Sequence, residues 1–483
     1  MEQPVIQTGA VIDGFTVGER VHTGGMATLW SVTRPDITVP LLMKIPLVSE
    51  GEDPAAIVSF EMELMILPRL KGPHVPACFA TSDFIRQAYV VIELIPGQTL
   101  YFRLSELPLP YEEARVLGGK IASALADLHR QNVIHHDIKP SSIMFRESGE
   151  AVLIDFGLAH HNQLPDLLQE EFRVPYGTAP YMAPERLLGV RDDPRSDQFS
   201  LGVLLYFFTT GVRPFGEIET LAGMRRRLWR DPHPPRKLCP DYPPYLQEVV
   251  MRCLEIEPVS RYPTASQLAF DLAHPDQIKL TARAERVKRD SLATVWRRRF
   301  NQGLVQVERK VDVAAQLAAS PIVTVAIDTA EGTEELNGAL RVTAGRILET
   351  LPSARLACIN VLKLGRITID RTLDQQGHNK HVDRLVALKH WAMPLRLDES
   401  RLTVHVLEAI DPASAILEFA RANHVDHIIV GARRDSDLFV RTLLGSVSAK
   451  VASEAPCTVT VVRPRRPAAH VEEGGKAAGA VVT

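Results

Sequence analysis

Four charged residues stand where phosphate chemistry could use them. Asp137 and Lys139 lie two apart in "VIHHDIKPSSIMF", residues 133–145. Asp155 follows the apolar run of "AVLIDFGLAH", and Lys44 is the one cation in the strand-like "VPLLMKIP". A carboxylate can take a proton from a hydroxyl, or ligate a hard cation such as Mg2+. A glycine-rich turn in "GFTVGERVHTGGMATLWSVT", residues 14–33, lets backbone N–H groups approach a phosphate. Singly, each feature has a plainer reading. A Lys on a strand is usually a solvated edge residue, and a glycine turn is often only a turn.

The elements that must position these groups follow from periodicity. The glycine turn sits in a hairpin, and Lys44 lies on an apolar strand. "FEMELMILPRLKG" is helical in pattern, with Glu63 on the face opposite its apolar stripe. Further on, "HHDIKPSSI" (135–143), "DFG" (155–157), "GTAPYMAPE" (177–185), "SDQFSLGVLLYFFTTGVRPF" (196–215) and "RYPTASQL" (261–268) follow in that order. Together with Lys44 and Glu63, this set resembles the eukaryotic-type Ser/Thr protein kinases found in bacteria. The resemblance covers about residues 14–272. It implies a two-lobed kinase fold (α+β) with ATP in the cleft between lobes.

The resemblance also implies roles. Lys44 would hold the α- and β-phosphates, oriented by Glu63, with Glu61 as the fallback partner. Asp155 would ligate Mg2+, and Asp137 would orient the substrate hydroxyl or accept its proton. Lys139 would stabilise the migrating phosphoryl group. Val21, Gly24, Gly25, Ala27 and Leu29 would cover the nucleotide, and adenine would meet backbone near Glu93–Ile95. Thr178 would shape the substrate platform. Glu185 with Arg261 would be a structural ion pair, and Asp197 would tie its helix to the catalytic loop.

The chain departs from the family pattern in four places. His22 and Ala27 replace two glycines of the phosphate loop. Ser142 replaces the Asn that ligates a second Mg2+; a hydroxyl is a shorter and weaker ligand, which suggests slower transfer and a preference for Mn2+, not loss of chemistry. His136 replaces the Arg that reads activation-loop phosphate, and a neutral imidazole serves that task poorly. The segment 158–177 contains no Ser or Thr, but carries Asp166, Glu170 and Glu171 as fixed negative charge. The expectation is an active kinase not gated by Ser/Thr phosphorylation there. A protonated His136 paired with Glu170 or Glu171 is the disfavoured alternative to a ring that takes no part in reading charge. The alternative for the whole region is a nucleotide-binding pseudokinase scaffold.

The chain of 483 residues is 45% apolar and 23% charged, with a net charge of −3. That balance gives no general attraction to nucleic acid or anionic membrane. No apolar run approaches the ~20 residues of a membrane span, and no secretory signal opens the chain. Five scattered cysteines read as free thiols in a reducing cytoplasm.

The expected division is an extension (1–13), a kinase domain (14–274, small lobe 14–96, large lobe 97–274), a basic helical connector (275–316), an α/β domain (320–463) and a disordered tail (464–483). Trp296 beside Arg297–Arg299 favours docking of the connector over pure solvation. In the α/β domain, "IVTVAID" and "HIIVGARRDSDLFVRTLLGSVSAKVASEAPCTVTVV" resemble the universal stress protein family. This implies a mainly parallel five-stranded sheet, a homodimer in many members, and nucleotide binding in some. Asp328, Gly431, Gly445 and Ser446 match a nucleotide site, but Arg434 stands where a second glycine is usual. The expected whole is an ATP- and Mg2+-dependent kinase acting on protein hydroxyls, itself included.

Overall fold

A computed structural model describes residues 6–47, 54–172, 175–217, 220–300, 321–330, 332–364, 379–432 and 446–464. The first lobe is an antiparallel sheet in the order β1-β2-β3-β4-β6-β5. Its strands are β1 (Val11–Ile12), β2 (Phe15–Thr23), β3 (Ala27–Arg34), β4 (Ile37–Pro46), β5 (Cys78–Ser82) and β6 (Tyr89–Glu93). Side-chain alternation positions the lysine. Leu41, Met43 and Ile45 of β4 join Phe15, Val17, Val32, Tyr89 and Val91 in one buried cluster. Lys44 is thereby turned to the opposite face, toward the large lobe.

The helix α1 (Pro54–Ile66) has no polar face, contrary to the sequence reading. Both Glu61 and Glu63 are buried. The helix is covered by β4, by the short α3 (Leu167–Glu171) and, at Glu61, by Lys389 of the C-terminal domain. A helix apolar on most sides is a buried helix.

The large lobe is built on α2 (Tyr111–Arg130) and α4 (Arg195–Thr210), followed by α5 (Leu221–Arg225), α6 (Pro235–Leu238), α7 (Pro244–Cys253) and α8 (Ala265–Ala273). Two small ribbons frame the chemistry. β7 (Val133–Ile134) pairs with β10 (His160–His161), and β8 (Ile143–Phe145) pairs with β9 (Ala151–Leu153). The loops 135–142 and 154–159 therefore run side by side, and Ile154 N–H donates to the Ser142 carbonyl at 3.0 Å.

The connector carries α9 (Leu292–Phe300). Arginines, not Trp296, dock it. Arg298 meets Asp231 at 3.0 Å and Arg299 lies over the Trp229 ring, while Trp296 stays exposed against Phe300.

The C-terminal sheet is fully parallel, in the order β13-β12-β11-β14-β15. Its strands are β11 (Ile322–Ala326), β12 (Arg355–Lys363), β13 (Leu402–Ala409), β14 (His427–Gly431) and β15 (Thr458–Val462). This is the five-stranded parallel sheet expected from the alternation of strands and helices. The helices α10 (Glu334–Thr350) and α11 (Lys380–Ala392) cover one face; α12 (Pro412–Ala422) and α13 (Ser446–Glu454) cover the other. The buried apolar residues of the α10–α11 face are continuous with those of α1 and α2. Cores normally stay within one domain. The expected disordered tail lies outside the described residues from 465 onward.

Candidate active site

Lys44 Nζ lies 2.6 Å from Glu63 Oε2 and 2.9 Å from Asp155 Oδ1. Burial disfavours the ammonium, but Asp155 and Glu63 outweigh it and hold the lysine protonated far above its ordinary range. Lys44 in turn pulls the Asp155 carboxyl down to about 2 against its burial, with help from Lys139. Asp155 has φ +71°, a conformation that L-residues rarely adopt. Gly157, two residues on, must be small, because a Cβ there would collide with Ser59 Oγ of α1. Strand β4, helix α1 and the loop after β9 thus meet at one lysine.

Beside this group stands a second one. Lys139 Nζ is 2.5 Å from Asp137 Oδ2 and 3.2 Å from Thr178 Oγ1. The Thr178 hydroxyl donates to Asp137 Oδ1 at 2.7 Å. The turn before Asp137 is strained, with His136 at φ +64°. Asp197 holds it by accepting the N–H groups of His135 and His136, each at 2.9 Å. His129, a residue the sequence reading passed over, braces Asp197 at 2.9 Å. Its helical position in α2 gave no signal.

Glu185 and Arg261 form a two-pronged pair at 2.6 and 2.7 Å with no exposed side-chain surface. The glycine loop is the β2–β3 hairpin, closed by Gly24 N–H to the Ala27 carbonyl at 2.9 Å. Gly25 and Val21 are exposed, Ala27 is buried and Leu29 pairs with His22. Glu93 ends β6, and Ile95 is buried just beyond. The Glu93 side chain binds Arg146.

His136 does not pair with Glu170 or Glu171; its ring meets the Arg191 carbonyl and the Ser196 hydroxyl. Burial, with Arg186 and Arg191 nearby, lowers its pKa well below the usual histidine range. The ring is neutral, and Nε2 donates to the Arg191 carbonyl at 2.7 Å. Asp166 is bound by Arg191 and His160 and caps α3 through Gln169 N–H. Glu170 and Glu171 face the C-terminal domain. Glu61 goes to Lys389 rather than Lys44. Those partners come from across some 185–330 positions of sequence, and no local pattern marks them.

A Mg2+ ion fits the residues present. Asp155 is ionised, and its side chain is half exposed. Ser142 Oγ is fully buried with no hydrogen-bond partner. A buried hydroxyl without a partner is rare and costly, and a cation or its bound water would satisfy it.

In the C-terminal sheet the strand order reverses between β11 and β14, the place where such sheets bind ligands. Asp328 follows β11 and accepts Ala330 N–H at 3.0 Å. Gly431 ends β14, where a Cβ would stand 2.7 Å from Leu336 of α10, so close helix packing alone demands a glycine. Ser446 begins α13. Arg434 and Gly445 lie outside the described residues.

The protein kinase domain model matches residues 15–271, more than half of the chain. The chain belongs to the protein kinase family. The universal stress protein family model matches residues 319–463, so a C-terminal domain of that family follows the kinase domain. A probable serine/threonine-protein kinase of Clostridium perfringens is 30% identical over 57% of this chain and 38% of its own length. Serine/threonine-protein kinase PknB of Mycolicibacterium smegmatis is 28% identical over 57% of this chain and 46% of its own. PknL of Mycobacterium tuberculosis is 29% identical over 54% and 66%. The chain thus spans less than half the length of the first two. Among the described residues no helix is long and apolar enough to cross a membrane.

Proposed function

We propose that this chain is an ATP-dependent serine/threonine protein kinase that acts on protein hydroxyls, itself among them. The observation that carries the reading is the convergence on Lys44 of Glu63 and Asp155, beside the Asp137–Lys139–Thr178 group. Phosphoryl transfer needs positioning and charge neutralisation more than covalent help. Lys44 holds the nucleotide phosphates, and Glu63 fixes its direction. Asp137 holds the acceptor hydroxyl and takes its proton. Lys139 balances the charge that develops between them. Bound Mg2+ or Mn2+, held by Asp155 and Ser142, would shield the phosphate oxygens.

The segment 158–177 needs no Ser/Thr phosphate in this reading. Asp166 supplies a fixed carboxylate to Arg191, and the neutral His136 cannot read a phosphate. Mass spectrometry that found an essential phosphate in that segment would contradict it. The domain division given above, a cytoplasmic location in keeping with five free cysteines, and a sensing or dimerising role for the C-terminal domain belong to the same proposal. Titration of ATP into residues 312–466 tests the site at Asp328, Gly431, Gly445 and Ser446.

Ser142 favours a second reading, a nucleotide-binding pseudokinase scaffold. Radiolabelled ATP separates the two. A kinase labels an acceptor in Mg2+ or Mn2+ and loses that signal in both Lys44→Ala and Asp155→Ala. A scaffold labels nothing with either ion.

A further inference from the structure

The C-terminal domain grips the two kinase elements that must be in place for catalysis. Glu170 of α3 meets Arg355 of β12 at 2.6 Å, and its second oxygen lies 3.0 Å from His405 Nε2 of β13. Glu171 lies 3.4 Å from His405 Nδ1 and 3.9 Å from His381 of α11. Asn423, just past α12, donates to the Glu170 carbonyl at 3.1 Å. On the neighbouring helix, Glu61 is paired with Lys389 of α11. His405, Arg355, Glu61 and His381 are all buried.

These contacts differ from a solvated surface pair. Burial works against the imidazolium of His405, yet Glu170 and Glu171 hold its pKa at about 9. The cluster therefore sets two carboxylates against the cations Arg355 and His405, both supplied by the C-terminal domain. Such a buried set is tolerable only while complete, because one missing partner leaves a charge stranded.

Its location links it to catalysis. Glu61 and Glu63 sit two residues apart on α1 and so point to opposite sides. Glu63 reaches Lys44, while Glu61 reaches Lys389. Fixing one side of α1 fixes the rotation of the other. The helix α3 lies between α1 on one side and β13 with α12 on the other. A few residues beyond it, Thr178 bonds Asp137. In many kinases an activation-loop phosphate does the tying. Here residues 158–177 carry no Ser or Thr to receive one.

We propose that the C-terminal domain is a built-in activating partner. It docks on α1 and α3 through Glu61, Glu170 and Glu171, and so holds Glu63 on Lys44 and keeps α3 in place beside them. The proposal rests on the kinase reading above.

Full-length Lys389→Met, Arg355→Met and the exchanged pair Glu170→Arg with Arg355→Glu test it. Two measurements run in parallel: amide hydrogen exchange over residues 54–66 and 167–171, and transfer of labelled phosphate from ATP to casein. The two single variants are expected to exchange faster at both helices and to lose about 10-fold or more in kcat, within the usual range of coupling between sites. The exchanged pair should recover part of both losses, which a misfolded chain would not do. Faster exchange with unchanged or higher kcat overturns the activating role. Unchanged exchange overturns the docking itself. A wild-type chain that exchanges slowly at both helices but labels nothing sinks the kinase reading and leaves only the docking.

Discussion

Replacing Ser142 with Ala should move stability and ligand response in opposite directions. The Ser142 hydroxyl is fully buried and has no hydrogen-bond partner. An unsatisfied buried polar group costs about 1–3 kcal/mol. Deleting it loses little packing, so the nucleotide-free Ala variant should gain on the order of 1 kcal/mol. That is a rise of about 2–4 °C in Tm for a domain of this size. Saturating Mg2+ and a non-hydrolysable ATP analogue stabilise wild type by about 2.7 kcal/mol at 100 times Kd. If the hydroxyl helps hold the ion, its loss weakens binding roughly tenfold, or about 1.4 kcal/mol. The Ala variant should therefore melt above wild type alone, and level with or below it when metal and nucleotide are present. Differential scanning fluorimetry of the two proteins, with and without ligand, reads both signs. Equal ligand-induced shifts would refute the metal role of Ser142. A lower nucleotide-free Tm would show that the hydroxyl already has a structural partner. Ser142→Asn, which supplies a longer ligand, should speed transfer in Mg2+; an unchanged rate and metal preference would tell against Ser142 as a ligand.

Three further outcomes follow from the geometry. Arg261→Ala strands Glu185 in the core and should cost about 3–5 kcal/mol, read as a large fall in Tm or insoluble protein; a shift under 1 °C would refute the burial argument. His136→Arg places a permanent cation in a buried site beside Arg186 and Arg191, so it should destabilise by about 2–4 kcal/mol in urea melts and should not create dependence on activation-loop phosphate. The third concerns pH. The folded pKa of His405, about 9, lies above its unfolded value of ~6.5, so its contribution is complete below ~6.5 and lost as pH rises through about 9. Burial also raises Glu171, which acts in the same direction, whereas Glu170 is held low by His405 and Arg355 and weakens only in acid. Docking should thus be weaker at pH 9.5 than at pH 7, by about 2 kcal/mol, and His405→Leu should erase most of that difference in amide exchange over α3.

Much of the site was legible in the sequence because phosphate chemistry forces residue types into local patterns. Asp137 and Lys139 share one loop, Asp155 follows a short buried strand, and alternation along β4 turns Lys44 away from Met43 and Ile45. Strand and helix periods likewise announced the parallel C-terminal sheet. The fate of the other acidic residues was not legible. Glu61 and Glu63 lie on opposite sides of a helix that is apolar nearly all round, so its pattern favours neither side, and only the covering elements separate Lys44's partner from Lys389's. Glu170 and Glu171 looked like free negative charge near His136, yet their cations come from β12 and β13, more than 180 residues away. Local order in a chain records which groups a segment can offer. Which of them end up buried together depends on how two domains close over α1 and α3, and that is decided by shape and desolvation across the interface.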